Sequence, residues 1–262
     1  MRAFVESVGI VAPGLADWDV AGPILAGLAP YQPSALSLPP VELLPSAERR
    51  RTGFPVKLAL SVGHQALVRA QRPLDGIATI FTASSGDGDV IDEICRTLAS
   101  SDKQVSPTRF HNSVHNAPSG YWGIATGSMF PSTSLCGYDW SFSIGLLEAA
   151  VQLNTECEEV LLIAYDAPYP GPLGKRRGVS VTFGTALLMT RQRTANSIAD
   201  LDITLLGAAP DQSIMDDPGL ENLRQTNPAA RALPLLRAFV TKQPQSIFLE
   251  SGPRQTLLVK VA

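Results

Sequence analysis

Residues Gly127–Leu153 read GSMFPSTSLCGYDWSFSIGLLEAAVQL, and this stretch decides the fold. Pro131–Leu135 is a short strand candidate, and Ser141–Leu153 carries the clearest helical pattern of the chain, so Cys136–Trp140 is a turn between them. Downstream, Glu159–Ala164 and Val179–Met189 read as buried strands. Upstream, Ile77–Ala83 is a continuous apolar run ending in Ser84-Ser85-Gly86-Asp87-Gly88, flanked by helical periods over Lys57–Ala70 and Asp89–Ala99. Phe4–Val11 is β-branched and stops at Pro13-Gly14, and Ala21–Leu28 reads as a short helix. Tyr31–Pro45 reads as an extended loop, Ser106–Ser119 as an irregular polar stretch and Gly120–Thr126 as a short helix. This alternation is that of an α/β layered domain.

Beyond Arg191 the pattern weakens: Leu201–Leu206 reads as a strand, Ala229–Thr241 as a helix, and Ser246–Leu249 with Leu257–Val261 as two last strands. The 262 residues are read as one domain, 1–262, with a main part over 1–190 and a shorter extension over 191–262.

Composition excludes several classes. A net charge of −3 leaves no basic surplus for phosphate contacts, so nucleic acid is not expected as a partner. No apolar run reaches the ~18–20 residues of a membrane span, and Met1–Pro13 lacks a signal-peptide layout. Three cysteines, Cys95, Cys136 and Cys157, give neither a disulfide framework nor a zinc motif. Cys95 and Cys157 fall in helix-like segments and read as core or partly buried thiols. The expectation is a soluble cytoplasmic protein with no metal and no cofactor.

Four motifs carry a family resemblance. Gly127–Asp139 resembles the strand leading to the nucleophile elbow of β-ketoacyl-acyl-carrier-protein synthases, and Ser141–Ala149 the buried helix that follows. Val179–Met189 is similar to that family's Gly-rich turn and returning strand, and Val8–Gly14 to its first strand and turn. The resemblance covers roughly residues 1–190. It implies an α/β, thiolase-like layered sandwich, mainly the first half of the ketosynthase fold, with 191–262 a short remnant of the second.

Two departures matter. The family's second half carries two histidines, in His-Gly-Thr and Asn-x-Phe-Gly-Gly-x-Asn settings, yet neither motif follows residue 190 and the last histidine is His115. Where the family places its acyl-accepting cysteine, this chain has Asp139, with Cys136 three residues early. A cysteine at a helix N-terminus is favoured as thiolate and takes an acyl group as thioester. Aspartate is a poor nucleophile there, but a good N-cap. Asp139 is therefore expected to cap the helix and to replace the nucleophile.

The resemblance further implies a non-catalytic chain-length-factor subunit, of the short type found in aryl polyene, polyketide and fatty-acid-like pathways. Such a chain pairs with a catalytic β-ketoacyl synthase and meets acyl carrier protein only indirectly. Phe110, Val114, Asn116 and Trp122 would lie at the interface and shape the partner's acyl tunnel. Arg49, Arg50 and Arg51, or Lys175–Arg177, form basic clusters that either dock a carrier protein or are plain solvated surface. The alternative is a homodimeric thioesterase or decarboxylase of the same fold, using Asn112, His115 and Cys136. A homodimer in isolation is compatible with either. His111 and His115 stand four apart, but the irregular stretch and the missing third ligand argue against metal.

Overall fold

The computed structural model describes residues 1–36, 38, 42–207 and 211–262; part of the Tyr31–Pro45 loop reading (residues 37 and 39–41) falls outside them. The chain runs β1 (Arg2–Val11), α1 (Trp18–Leu25), α2 (Ser46–Arg51), α3 (Phe54–Arg69), β2 (Ala78–Thr82), α4 (Gly88–Ala99), α5 (Pro107–Asn112), α6 (Ala117–Thr126) and β3 (Ser132–Leu135). It continues through α7 (Ser141–Thr155), β4 (Glu159–Asp166), α8 (Gly171–Arg177), β5 (Phe183–Thr190), β6 (Ala199–Leu206), α9 (Pro218–Thr226), α10 (Leu233–Thr241), β7 (Gln245–Gly252) and β8 (Gln255–Val261).

All strands join one sheet in the order β3-β2-β4-β5-β1-β6-β8-β7. β3, β2 and β4 are parallel, and every pairing from β4 onward is antiparallel. The middle strands are apolar on both sides because helices cover both faces. On one face α3 and α6 pack through Leu58, Leu60, Leu67 and Trp122 against Phe81, Leu161 and Leu188. On the other, α1, α7 and α10 pack through Leu25, Phe142, Leu146 and Phe239 against Ile10, Leu162 and Leu187. Helices on both faces of one mixed sheet make the α/β layered sandwich expected from the sequence.

Two glycines permit the close layers. A Cβ on Gly9 would sit 2.1 Å from the Val62 carbonyl oxygen, so β1 can lie against α3 only without a side chain there. A Cβ on Gly145 would meet Thr82 at 2.8 Å and Leu162 at 2.9 Å, which fixes how deeply α7 sits.

The C-terminal strands continue the same sheet, because β6 pairs with β1 along Arg2–Val5. Burial alternates along β6, β7 and β8, and their inward residues Leu201, Ile203, Leu249, Leu257 and Val259 belong to the α1/α7/α10 face only. That half-covered state weakened the sequence signal beyond Arg191. The helices α2, α5, α8 and α9 were not read from sequence; each is short, six to nine residues.

Cys95 departs from its sequence reading, being exposed on α4, whereas Cys157 is partly buried, as expected, just past the end of α7. Among the described residues, no helix is long and apolar enough to cross a membrane.

Trp122 is 2% exposed and meets Phe81 edge-on, with ring centroids 6.2 Å apart. Trp122→Ala should therefore cost about 3–5 kcal/mol of folding stability, read as a lower urea midpoint at unchanged slope.

Candidate functional site

The turn after β3 is built around a strained residue. Tyr138 has φ +56°, in the left-handed region that a non-glycine side chain rarely adopts. Ser141 holds the turn: its Oγ accepts from the Gly137 amide (3.1 Å) and donates to the Tyr138 carbonyl (2.7 Å). Thr82 Oγ1, on the neighbouring strand, donates to the Ser141 carbonyl at 2.7 Å. A 3₁₀ turn over Tyr138–Trp140 then leads into α7.

Asp139 sits on that 3₁₀ turn, and the capping expectation is corrected. The N-cap of α7 is Trp140, without a side-chain cap bond. The extra turn carries the Asp139 carboxylate away from the first amides of α7 and toward two arginines. Arg177 Nη1 donates to Asp139 Oδ1 at 2.9 Å, and Arg231 Nη2 lies 3.6 Å from Oδ2. Arg231 also binds Glu250 on β7 at 2.8 Å, and the Arg177 guanidinium carbon stands 3.5 Å from the centre of the Tyr138 ring. Burial alone would lower the Arg177 pKa; the hydrogen bond and charge of Asp139 outweigh it and raise the pKa above its ordinary value. The Arg177 side chain is 12% exposed, so this pair is better shielded than a surface ion pair.

The space behind Asp139 is small. Phe142, Ser143, Arg224, Arg231 and Glu250 surround a void of about 10 Å³, at the lower limit for one water and far too small for an acyl chain. Chemically, the turn presents an ion-paired carboxylate, a poor nucleophile toward a thioester. Cys136 is exposed, and its thiol donates to the Ser84 carbonyl at 3.1 Å. His115 bonds through Nε2 to the Leu135 carbonyl at 2.9 Å, and no hydrogen bond joins it to Cys136 among the described residues. Asn112 is buried, donating to the Arg51 carbonyl and accepting from Tyr121 Oη. His111 stacks edge-on with Tyr121, so it does not share a ligand set with His115.

The expected interface residues separate. Phe110 and Val114 are 67% and 47% exposed, Asn116 is exposed as well, and all three follow one another along α5 and the turn after it. Trp122 is in the core and is covered by its own domain. Helix α4 packs beside α5 with no residue buried, leaving Ile91 and Leu98 open, and Met129 and Phe130 lead exposed into β3. β3 itself is the sheet's edge, paired only with β2 among the described residues. Of the basic clusters, Arg50 and Arg51 are exposed on α2, where Arg51 meets Glu48 at 3.5 Å, and Arg49 is half-buried. Arg177 belongs to the Asp139 pair and is not part of a docking surface, whereas Lys175 and Arg176 are exposed.

Residues 27–251 match the family model of the β-ketoacyl synthase N-terminal domain. The chain belongs to this family. Three solved structures share its fold over nearly the whole chain. A chain from the complex of a ketosynthase with its chain length factor from Xenorhabdus doucetiae superposes with a TM-score of 0.75 at 21% identity, covering 99% of each chain. The ishigamide ketosynthase/chain length factor gives 0.76 at 10% identity, covering 100% of this chain and 99% of that one. A type II polyketide synthase acyl-carrier protein complex with its hexaketide-bound ketosynthase gives 0.80 at 13% identity, with the same coverage. No curated protein matches the sequence.

Sequence reasoning missed Arg177, Arg231 and Glu250 as partners of Asp139, because 38 residues separate Asp139 from Arg177 and the others lie in the weakly patterned C-terminal part. It also missed Asp166, which is wholly buried at the end of β4. Burial raises its pKa to about 7, against the hydrogen bonds from Ser84 that lower it. Because the folded pKa lies above the ordinary 3.8, the folded state holds the extra proton between these values, and stability falls as pH rises from about 4 to 7. Glu221 acts in a lower window: hydrogen bonding from Arg224 holds its pKa at about 2, so its contribution is lost only as pH falls below about 4.5. Asp166→Asn should therefore flatten the stability profile between pH 5 and 7, where wild type loses at most ~1.4 kcal/mol per pH unit, while leaving the loss below pH 4.5 intact. Urea unfolding at stepped pH measures both.

Proposed function

We infer that this chain is a non-catalytic, chain-length-factor-like subunit that pairs with a catalytic β-ketoacyl synthase and limits the growth of its acyl chain. The observation that carries the reading is the Asp139–Arg177–Arg231–Glu250 cluster, which fills the nucleophile position with paired charges. Elsewhere an edge strand and an apolar surface stay open. The Xenorhabdus and ishigamide structures, each of a ketosynthase with a chain length factor, support the same reading. The chain acts as one ketosynthase-like domain over 1–262, in polyketide, aryl polyene or fatty-acid-type synthesis in the cytoplasm, where its three free cysteines stay reduced.

The proposed mechanism is steric. β3 extends the partner's sheet across the pair, and exposed Ile91, Leu98, Phe110 and Val114 bury apolar area against it. A durable pair of this kind buries about 1,200–2,000 Å² in total. Phe110, the most exposed of these four, forms the far end of the partner's acyl tunnel, with Asn116 nearby on the turn. Each methylene added to a tunnel is worth ~0.8 kcal/mol, and a wall of packed side chain outweighs that gain. Trp122 takes no direct part, since its own core covers it. The homodimeric hydrolase alternative has less support, because Asn112, His115 and Cys136 each hydrogen-bond a backbone carbonyl and none bonds another of the three among the described residues.

Phe110→Ala should lengthen the products of the reconstituted pair, read by mass spectrometry of released chains. Phe110→Arg with Val114→Asp should abolish the one-to-one complex in light-scattering chromatography while leaving the fold within about 0.5 kcal/mol of wild type. An intact complex carrying products of unchanged length in both variants would remove the steric mechanism.

A further inference from the structure

A cavity of about 330 Å³ opens between the start of α3, the loop entering α4 and the segment after β4. Phe54, Pro55, Tyr165, Tyr169 and Pro170 give it an aromatic and apolar wall. Its charged lining residues are Asp87, Asp89 and Asp166, and among the described residues no Lys, Arg or His lines it. Asp87 and Asp166 are 7% and 4% exposed. Each commits Oδ1 locally: Asp87 accepts from the Val90 amide, and Asp166 from the Ser84 amide and hydroxyl. Asp166 Oδ2 is buried with no hydrogen-bond partner among the described residues. A buried carboxylate oxygen left in this state is costly unless a cation meets it.

The geometry points to a binding site for a compact organic cation, an amidinium, guanidinium or ammonium group on an apolar stem, with its charge against Asp166 and Asp87 and its flank on Tyr165 and Tyr169. Aromatic faces attract such cations, and a cavity of this size holds a small ring. Arg177 acts on Asp166 from outside the cavity: its Nη1 is engaged by Asp139, its Nη2 is buried without a partner, and among the described residues it forms no ion pair with Asp166. Gly88 makes room for the wall: a Cβ there would lie 2.7 Å from the Tyr169 ring. Because burial holds the Asp166 proton on up to about pH 7, a bound cation displaces that proton, and affinity rises with pH. The groups facing Asp166 are Ser84 after β2, Tyr165 on β4, Tyr169 beyond it, Arg177 on α8 and the Ala229 amide, with the Cys136 thiol acting on Tyr165.

Titration calorimetry with benzamidine, neutral benzamide and anionic benzoate tests the site at pH 8 and pH 6. Benzamidine should bind the full chain at least tenfold more tightly than either control, and should weaken severalfold at pH 6. Asp166→Asn should lose tenfold or more and remove the pH dependence. Asp87→Asn, which keeps the α4 cap because Asn caps as well as Asp, should also weaken binding. Equal binding of benzamide or benzoate, no binding at millimolar benzamidine, or unchanged affinity in both variants would overturn the site. Repeating the titration on the ketosynthase complex separates the source of the cation: retained binding assigns a free small molecule, and exclusion assigns a basic side chain of the partner. That last arm alone rests on the proposed pairing.

Discussion

The carboxylate of Asp139 lies between two guanidinium groups at the end of a strained turn, and much of the molecule is organised around that contact. Arg177 comes from α8, Arg231 from the 3₁₀ turn before α10, and Glu250 from β7. One carboxylate thereby ties the parallel part of the sheet to its C-terminal antiparallel extension. The same turn bears a left-handed Tyr138, whose strain of about 1–3 kcal/mol persists because Ser141, Thr82 and the Arg177 plane over-determine it. A shape suited to presenting a nucleophile here presents half of an ion pair.

Filling the centre has a consequence for the surface. With void space of only about 10 Å³ behind Asp139, the described residues leave little room for an acyl group at that position. What the chain leaves open lies elsewhere: β3 at the edge of the sheet, α4 with no buried residue, and α5 with Phe110 exposed. Exposed edge strands flanked by large apolar side chains favour association with another chain. The proposed pairing uses both features at once, an ion-paired centre and an open edge.

The sequence was most legible where both faces of an element are buried. β2, β4, β5, α3 and α7 stood out because long apolar runs or clear helical periods left few alternatives. Asp139 stood out because it interrupts a recognisable motif, although its helix cap gave way to an ion pair once a 3₁₀ turn intervened. Phe110 and Val114 were legible as surface residues of one segment, while Trp122, only eight positions past Val114, turned inward because α6 packs on Phe81. The charge cluster and the Asp166 cavity stayed hidden, since both assemble from residues tens of positions apart and nothing in local spacing announces such contacts.

The central claim is that acyl chemistry in the assembled pair takes place on the partner alone. Native mass spectrometry of this chain co-expressed with the ketosynthase of its own gene neighbourhood, after loading with acyl-carrier thioester, tests it most directly. The account predicts a one-to-one complex in which the acyl mass resides wholly on the ketosynthase subunit. A stoichiometric acyl adduct on this chain, mapped to Cys136, would contradict it.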